Sequence, residues 1–336
     1  MKYNHILLSA LTLCASGLLA GSCGSGGSKA GEKGHLNGST TIACDASFQN
    51  IMQQEIQVFE FRYNTDKTAV EVLPRYLDEA DCIDSIVEAK VRLACISRPL
   101  SKKQISYLKN QHKRTVSQEA IAVDAVALIV NPKNPMEYID HKDLVDILTG
   151  KYTTWDKIVP NDGSLSDIKV VFDGKRSSMV RYMTDSILDG ASFGPNVYAQ
   201  NKPEEVFDVV AKDINAIGVI GVSWLTHDLS DKAADAADMN RMAESDSVAE
   251  AMSFKNDIKV LGVQPEGKLE SYLPYQQNIY SGDYPYYRQI YLVSTGAPHS
   301  VTTSFYTFVT SYIGQKIILM TGICPKTMEV QLVDLQ

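Results

Sequence analysis

Short, unbroken apolar runs alternate along this chain with longer stretches whose apolar positions recur at helical spacing, the signature of strands and helices taking turns. Residues 40–43 form the first run. Behind it Ile56, Phe59 and Tyr63 mark one face of a helix that Ser47 or Asp45 can cap. Val70, Val72 and Leu73 predict a second strand, after which Pro74 and its successors lead into a helix carrying Ile83, Ile86 and Val87. Residues 91–96 predict a third strand, ending at Ser97-Arg98-Pro99, and residues 101–110 another helix.

Near residues 119–125 the chain crosses into a second region of the same kind. Residues 126–130 are apolar without a break, as a strand buried on both faces requires. Asn131-Pro132 and Asn134-Pro135 end it, because proline lacks the donor a ladder needs and drives the residue before it away from helix. Asp140 is placed to cap a helix whose Leu144, Ile147 and Leu148 share a face, and Gly150 ends that helix. A strand over 168–172 and a helix bearing Val180, Met183 and Ile187 follow. Pro203, Glu204 and Glu205 then open a helix over 203–214, and the glycines of a strand over 216–221 permit close backbone approach. Residues 228–256 are polar and predict an exposed helix or loop excursion. Strands over 258–263 and 289–294, an apolar helical stretch over 301–319 and a final segment over 323–333 return the chain to its first region. Strands alternating with helices imply an α/β fold of mostly parallel sheets flanked by helices, which binds ligands at the carboxyl ends of its strands.

The N-terminus changes what counts as the folded protein. Lys2, an apolar run over 6–20 and small residues after it make residues 1–22 a secretory signal peptide, too short to span a bilayer. Cys23 and the Gly/Ser-rich sequence through Gly34 predict a lipidated cysteine and a flexible tether over residues 23–36. At 336 residues, 44% hydrophobic and 21% charged, the rest is long enough for two globular domains. The net charge of −8 becomes −9 when Lys2 leaves with the signal, so nucleic acid is not an expected partner. An anionic ligand is still allowed, because backbone amides and a few placed side chains act locally. Cys44, Cys82, Cys95 and Cys324 lack metal-ligand spacing and leave disulfides and buried thiols equally open. There is no GxSxG elbow, HExxH or Walker loop, and the six histidines are scattered; no catalytic residue, metal or cofactor is expected.

Over residues 124–158 the order is strand, Val130-Asn131-Pro132, helix, Thr149-Gly150-Lys151 and Trp155-Asp156. That order resembles the corresponding segment in the substrate-binding proteins of phosphate ABC transporters. Ser97-Arg98-Pro99-Leu100, Ala216-Ile217-Gly218 and the segment from Tyr284-Pro285 to Tyr291 extend the resemblance over most of residues 38–336. It implies a two-lobed periplasmic binding-protein fold of type II, with lobe 1 formed by residues 37–123 plus 284–336, lobe 2 by 124–283, and a ligand cleft between them. It also implies a monomeric, non-enzymatic lipoprotein of the periplasm or cell envelope, anchored to the membrane by its lipid, which captures inorganic phosphate and delivers it to ABC permease subunits. Three alternatives stay open: another oxyanion such as sulfate or molybdate, a phosphate-binding surface or sensor protein without a transporter, and a secreted hydrolase, which would need a metal cluster.

In that family a dehydrated phosphate is held by backbone N–H groups and hydroxyls at helix starts, with an arginine and an aspartate. Helix N-termini suit this, since they present unpaired donors and a positive dipole end. Three segments here carry the resemblance: Ala46-Ser47-Phe48, Ser97-Arg98, and Arg176-Ser177-Ser178-Met179. Ser47 and Ser177 are equally well placed as plain caps, and Arg98, Lys175 and Arg176 as solvated surface residues. The family's Gly-Ser-Gly-Thr signature is reduced at residues 176–179, Arg98 stands where the family often has its acceptor, and Asp173 where it often has its arginine. The expectation is that these two charges have exchanged loops, Arg98 donating to the anion while Asp173 accepts the phosphate proton or orients Arg98. The alternative is a purely local Asp173-Gly174 turn, with Lys175 or Arg176 supplying the charge.

Overall fold

The computed structural model describes residues 36–160, 163–226, 229–245, 254 and 257–327. The signal peptide, Cys23, the tether and the segment after residue 327 lie outside the described residues. From Gly38 the chain builds β1 (Gly38–Asp45), α1 (Gln49–Tyr63), β2 (Val70–Leu77), α2 (Glu79–Val87), β3 (Leu93–Ile96) and α3 (Lys102–His112). The long strand β4 (Ser117–Val130) then carries it into the second half. There β5 (Tyr138–Asp140), α4 (His141–Leu148), β6 (Lys169–Phe172), α5 (Ser178–Tyr182), β7 (Val197–Ala199), α6 (Glu204–Lys212) and β8 (Ala216–Gly221) follow in turn. Next come α7 (Leu229–Lys232), α8 (Ala236–Glu244), β9 (Lys259–Val260), β10 (Gly262–Gln264) and α9 (Gln276–Ser281). The chain returns through β11 (Tyr287–Ser294), α10 (Val301–Val309), α11 (Tyr312–Met320) and β12 (Cys324–Pro325).

The main path of the sheet runs β2-β1-β3-β11-β4-β8-β6-β7. Pairs at its two ends are parallel, β1 with β2 and β3, and β6 with β7 and β8. The pairs where the halves join, β11 with β3 and β4, and β4 with β8, are antiparallel. β4 changes partner in mid-strand: residues 117–125 pair with β11 and residues 126–130 with β8. Residues 125–130 are wholly buried, which accounts for the unbroken apolar run.

Several boundaries differ from the sequence expectation for identifiable reasons. β2 runs through Pro74, which lies opposite Ile42; an edge strand bonded on one side tolerates a residue without a donor. The apolar stretch over 301–319 breaks into α10 and α11, because the Ser311 hydroxyl accepts from the Gly314 N–H and starts a new helix. The polar segment over 228–256 is only partly surface: Met239 and Ala243 of α8 are buried, and Arg62 of α1 donates to Asn240 Oδ1 at 2.6 Å. Asp140 caps α4 as expected, accepting from Asp143 N at 2.7 Å. Cys44, Cys82, Cys95 and Cys324 are buried free thiols. No described helix is long and apolar enough to cross a membrane.

Candidate functional site

β1 ends by delivering Asp45 to the carboxyl edge of the sheet, and the chain turns at once into a 3-10 turn, Ala46–Phe48, ahead of α1. Asp45 is wholly buried and accepts from Ser47 N at 3.0 Å, pinning the turn. β6 does the same for Asp173, after which Ser177 caps α5 by accepting from Val180 N at 3.3 Å. The two helix starts meet on one carboxylate. Ser47 Oγ donates to Asp173 Oδ2 and Ser177 Oγ to Asp173 Oδ1, each at 2.6 Å.

The cation comes from neither loop. Arg288 occupies an inward position of β11 and is 4% exposed. Its Nη2 donates to Asp124 Oδ2 at 3.2 Å, its Nη1 donates to Ser178 Oγ, and its guanidinium lies 4.6 Å from the centre of the Phe48 ring. Asp124 fits because β8 ends in Gly221, where a Cβ would come within 2.5 Å of Asp124 Oδ2. The turn after β8 is fastened to the first helix start, with Trp224 Nε1 donating to Ser47 O at 2.8 Å and Asn50 Nδ2 donating to Ser223 O.

Four buried polar atoms here have no partner within the protein: Asp45 Oδ2, Asn50 Oδ1, Ser223 Oγ and Arg288 Nε. Each unsatisfied atom costs about 1–3 kcal/mol, so four gathered in one place mark where a polar ligand belongs. Burial pushes Asp45 up to about 6, with Arg288 and Ser178 pulling it down and Asp173 adding to the rise. Burial likewise raises Asp124, opposed by Arg288.

Ser97, Arg98 and Arg176 lie at the rim and are not brought to this group. Buried Glu79 accepts from Ser97 N at 3.0 Å, Ser97 Oγ at 2.6 Å and Arg181 Nε at 2.6 Å, and Arg181 Nη2 also donates to Ser97 Oγ at 2.6 Å. Burial pushes Glu79 up, but the bonds from Ser97 and Arg181 outweigh it and hold the carboxyl below its ordinary value. The Arg98 side chain is 50% exposed, its Nε 3.7 Å from Glu79, and exposed Arg176 pairs with Asp81 at 2.9 Å.

Of the expected residues, the structure therefore brings together Ser47, Phe48, Asp173, Ser177 and Ser178, with Ala46 in the same turn and Met179 buried in the first turn of α5. The pairing of Arg98 with Asp173 does not form. Asp173 receives two serine hydroxyls, and Arg98 faces Glu79. Sequence reasoning missed Arg288, Asp124 and Ser223 and gave Asp45 only a capping role. A signal for the first two existed: Arg288 shares alternation with the buried Tyr286, Ile290 and Leu292, and Asp124 interrupts an otherwise apolar strand. Among the described residues no group of three His, Cys, Asp or Glu is placed to hold a metal.

A profile described as a PBP superfamily domain matches residues 29–312. The phosphate-binding protein PstS 2 of Streptococcus pneumoniae is 24% identical over 124 residues, 37% of this chain and 38% of that protein, so the matched part spans well under half of this relative. The phosphate-binding protein PstS of Pseudomonas aeruginosa is 22% identical over 254 residues, covering 72% of this chain and 70% of that one. Among solved structures, one from Clostridium perfringens with bound phosphate has a TM-score of 0.65 at 19% identity, covering 86% of this chain and all 100% of its own. The ABC-type phosphate transport receptor of Vibrio cholerae has a TM-score of 0.58 at 20% identity, with coverages of 86% and 100%. At such identities structural likeness establishes the fold.

Proposed function

The chain belongs to the PBP superfamily, and from that premise we propose that it is an extracytoplasmic solute-binding protein that captures inorganic phosphate between its lobes and delivers it to the permease subunits of an ABC importer. Its fold is the two-lobed α/β fold expected from the sequence. The observation that supports phosphate best is buried Arg288, oriented by Asp124, with its Nε unpartnered between the helix starts at Ser47 and Ser177. Guanidinium donors and helix N-termini both favour an oxyanion. The lobes are residues 37–123 with 284–336, and residues 124–283, joined where β4 changes partner. A ligand touching both lobes favours the closed arrangement by its differential affinity, and no covalent bond changes. Arg181 to Glu79 and Arg176 to Asp81 run from lobe 2 to lobe 1 and act as closing contacts, with Arg98 beside them, rather than as ligand contacts.

Calorimetric titration of residues 24–336 with phosphate, arsenate, sulfate and molybdate tests this reading. Phosphate and arsenate should bind saturably and sulfate and molybdate not, because the latter bring no proton to buried acceptors such as Asp45 Oδ2. Binding of sulfate or molybdate without phosphate would move the function to another oxyanion. Phosphate binding with no effect on cellular uptake would favour a sensor.

Cys23 is proposed as the lipid anchor of a monomeric protein. Cys23→Ala should then shift the protein from the membrane fraction to the soluble one, since a single acyl chain holds weakly and a doubly acylated cysteine holds stably. An unchanged distribution on immunoblots of the two fractions would remove the anchor.

A further inference from the structure

The buried group around Arg288 is richer in acceptors than an anion site needs. Asp45 and Asp124 are wholly buried and Asp173 is 5% exposed, so three negative charges stand against the one positive charge of Arg288, −2 in all. The hydroxyls add to the imbalance. A serine has one hydrogen to donate, and Ser47 and Ser177 both give theirs to Asp173, so they present lone pairs to a ligand. Asp45 Oδ2 and Asn50 Oδ1 are further acceptors without a partner, against the unpartnered donors Arg288 Nε and Ser223 Oγ. A dianion placed here would meet a surplus of like charge at low dielectric, a condition relieved by protonation. An oxyanion that carries O–H groups satisfies the acceptors and lowers the charge together.

Resting on the phosphate-binding reading, we propose that this site takes phosphate as the dihydrogen monoanion, one O–H donated to Asp45 Oδ2 and the other to the Ser47 or Ser177 oxygen that Asp173 orients. Above the second pKa of phosphate, binding then consumes one solvent proton. Hydrogenphosphate plus that proton gives the bound dihydrogen form, and no P–O bond breaks. Arg288 Nε and Ser223 Oγ donate to the unprotonated oxygens.

The other titratable groups around the site do not supply the proton. The Cys44 and Cys82 thiols lie near Asp45, Cys324 near Asp124 and Tyr182 near Arg288. Burial pushes all four up, Cys324 and Tyr182 to about 12, so they stay uncharged at neutral pH. Asp78, near Asp173 and Asp81, is raised by burial against the pull of Arg176 and adds negative charge to the same side. Asp45, pushed by burial up to about 6, is ionised and able to accept at neutral pH and above.

The test titrates residues 24–336, whose compact unit begins at residue 35, with inorganic phosphate at about pH 6.5, 7.5 and 8.5 in paired buffers of different ionisation enthalpy. Uptake should approach about one proton per phosphate at the highest pH, and affinity should fall roughly tenfold per pH unit there. Asp45→Asn should at least halve both the uptake and the slope. Phosphate binding with negligible proton uptake and one affinity at all three pH values would overturn the inference while leaving phosphate as the ligand. Uptake left unchanged by Asp45→Asn would overturn it as well. A folded protein that binds no phosphate at any pH would instead sink the parent reading. The wild-type proton count decides the matter even if Asp45→Asn fails to fold.

Discussion

Arg288→Ala is expected to abolish phosphate binding, by roughly a thousandfold or more, because charge-assisted hydrogen bonds worth about 1.5–3 kcal/mol each are lost together with the one buried cation of the site. The variant should also be less stable by about 3–5 kcal/mol, since Asp124 is left buried with no counter-charge. Arg288→Lys separates the two effects. It keeps the charge beside Asp124 but not the planar fork that reaches Asp124 and Ser178 together, so it should melt near the wild type yet bind phosphate at least about thirtyfold more weakly. Arg98→Ala, by contrast, removes a half-exposed side chain 3.7 Å from Glu79 and should leave affinity within about threefold. Calorimetry on the three variants, with a thermal melt of each, checks the set. Tight binding by Arg288→Ala, or loss of binding in Arg98→Ala alone, would return the site to the outer loops.

Glu79→Ala should have the second-largest effect, and on closure more than on the ligand. One buried carboxylate there receives the Ser97 N–H and hydroxyl and the Arg181 guanidinium, so its removal leaves several donors without an acceptor and costs on the order of 3 kcal/mol. Because Arg181 belongs to α5 and Glu79 and Ser97 to the other half, the variant should release phosphate faster, with a smaller change in association rate. The linkage has a definite sign. Glu79 sits below its ordinary value when folded, so its contribution is full above the ordinary carboxylate range and disappears as the pH falls through and below it. Thermal melts across that acid range should show a loss in the wild type that Glu79→Ala lacks. A variant with unchanged melting and release would reduce this contact to decoration of the rim.

The alternation of elements was legible in the sequence because burial leaves a local imprint. Residues 126–130 had to be apolar throughout, being covered on both faces, and Asp140 and Ser177 cap helices through bonds to residues only three positions on. Where a boundary was misjudged, neighbours remote in sequence decided it. Pro74 stays in a strand only because β2 is an edge, and α8 is buried in part because α1 lies beside it.

The site divides along the same line. Ser47, Ser177, Ser178 and Asp173 could be found in the sequence, since each stands at a strand end or helix start whose geometry is set by a handful of adjacent residues. The partner of each charge could not. Asp173 meets Ser47 across 126 positions, and Arg288 meets Asp124 across 164, contacts that exist only once β11 has inserted between β3 and β4. Arg98 and Arg288 look alike as residues. What separates them is that one stands on a loop in water and the other on an inward-facing strand position, where a charge is kept only if it is paired and put to use. By itself the sequence determined the alternating fold, the two-part chain and the helix starts that face a ligand. The choice of the cation, and the excess of acceptors that gives the site its demand for protons, came only from tertiary packing.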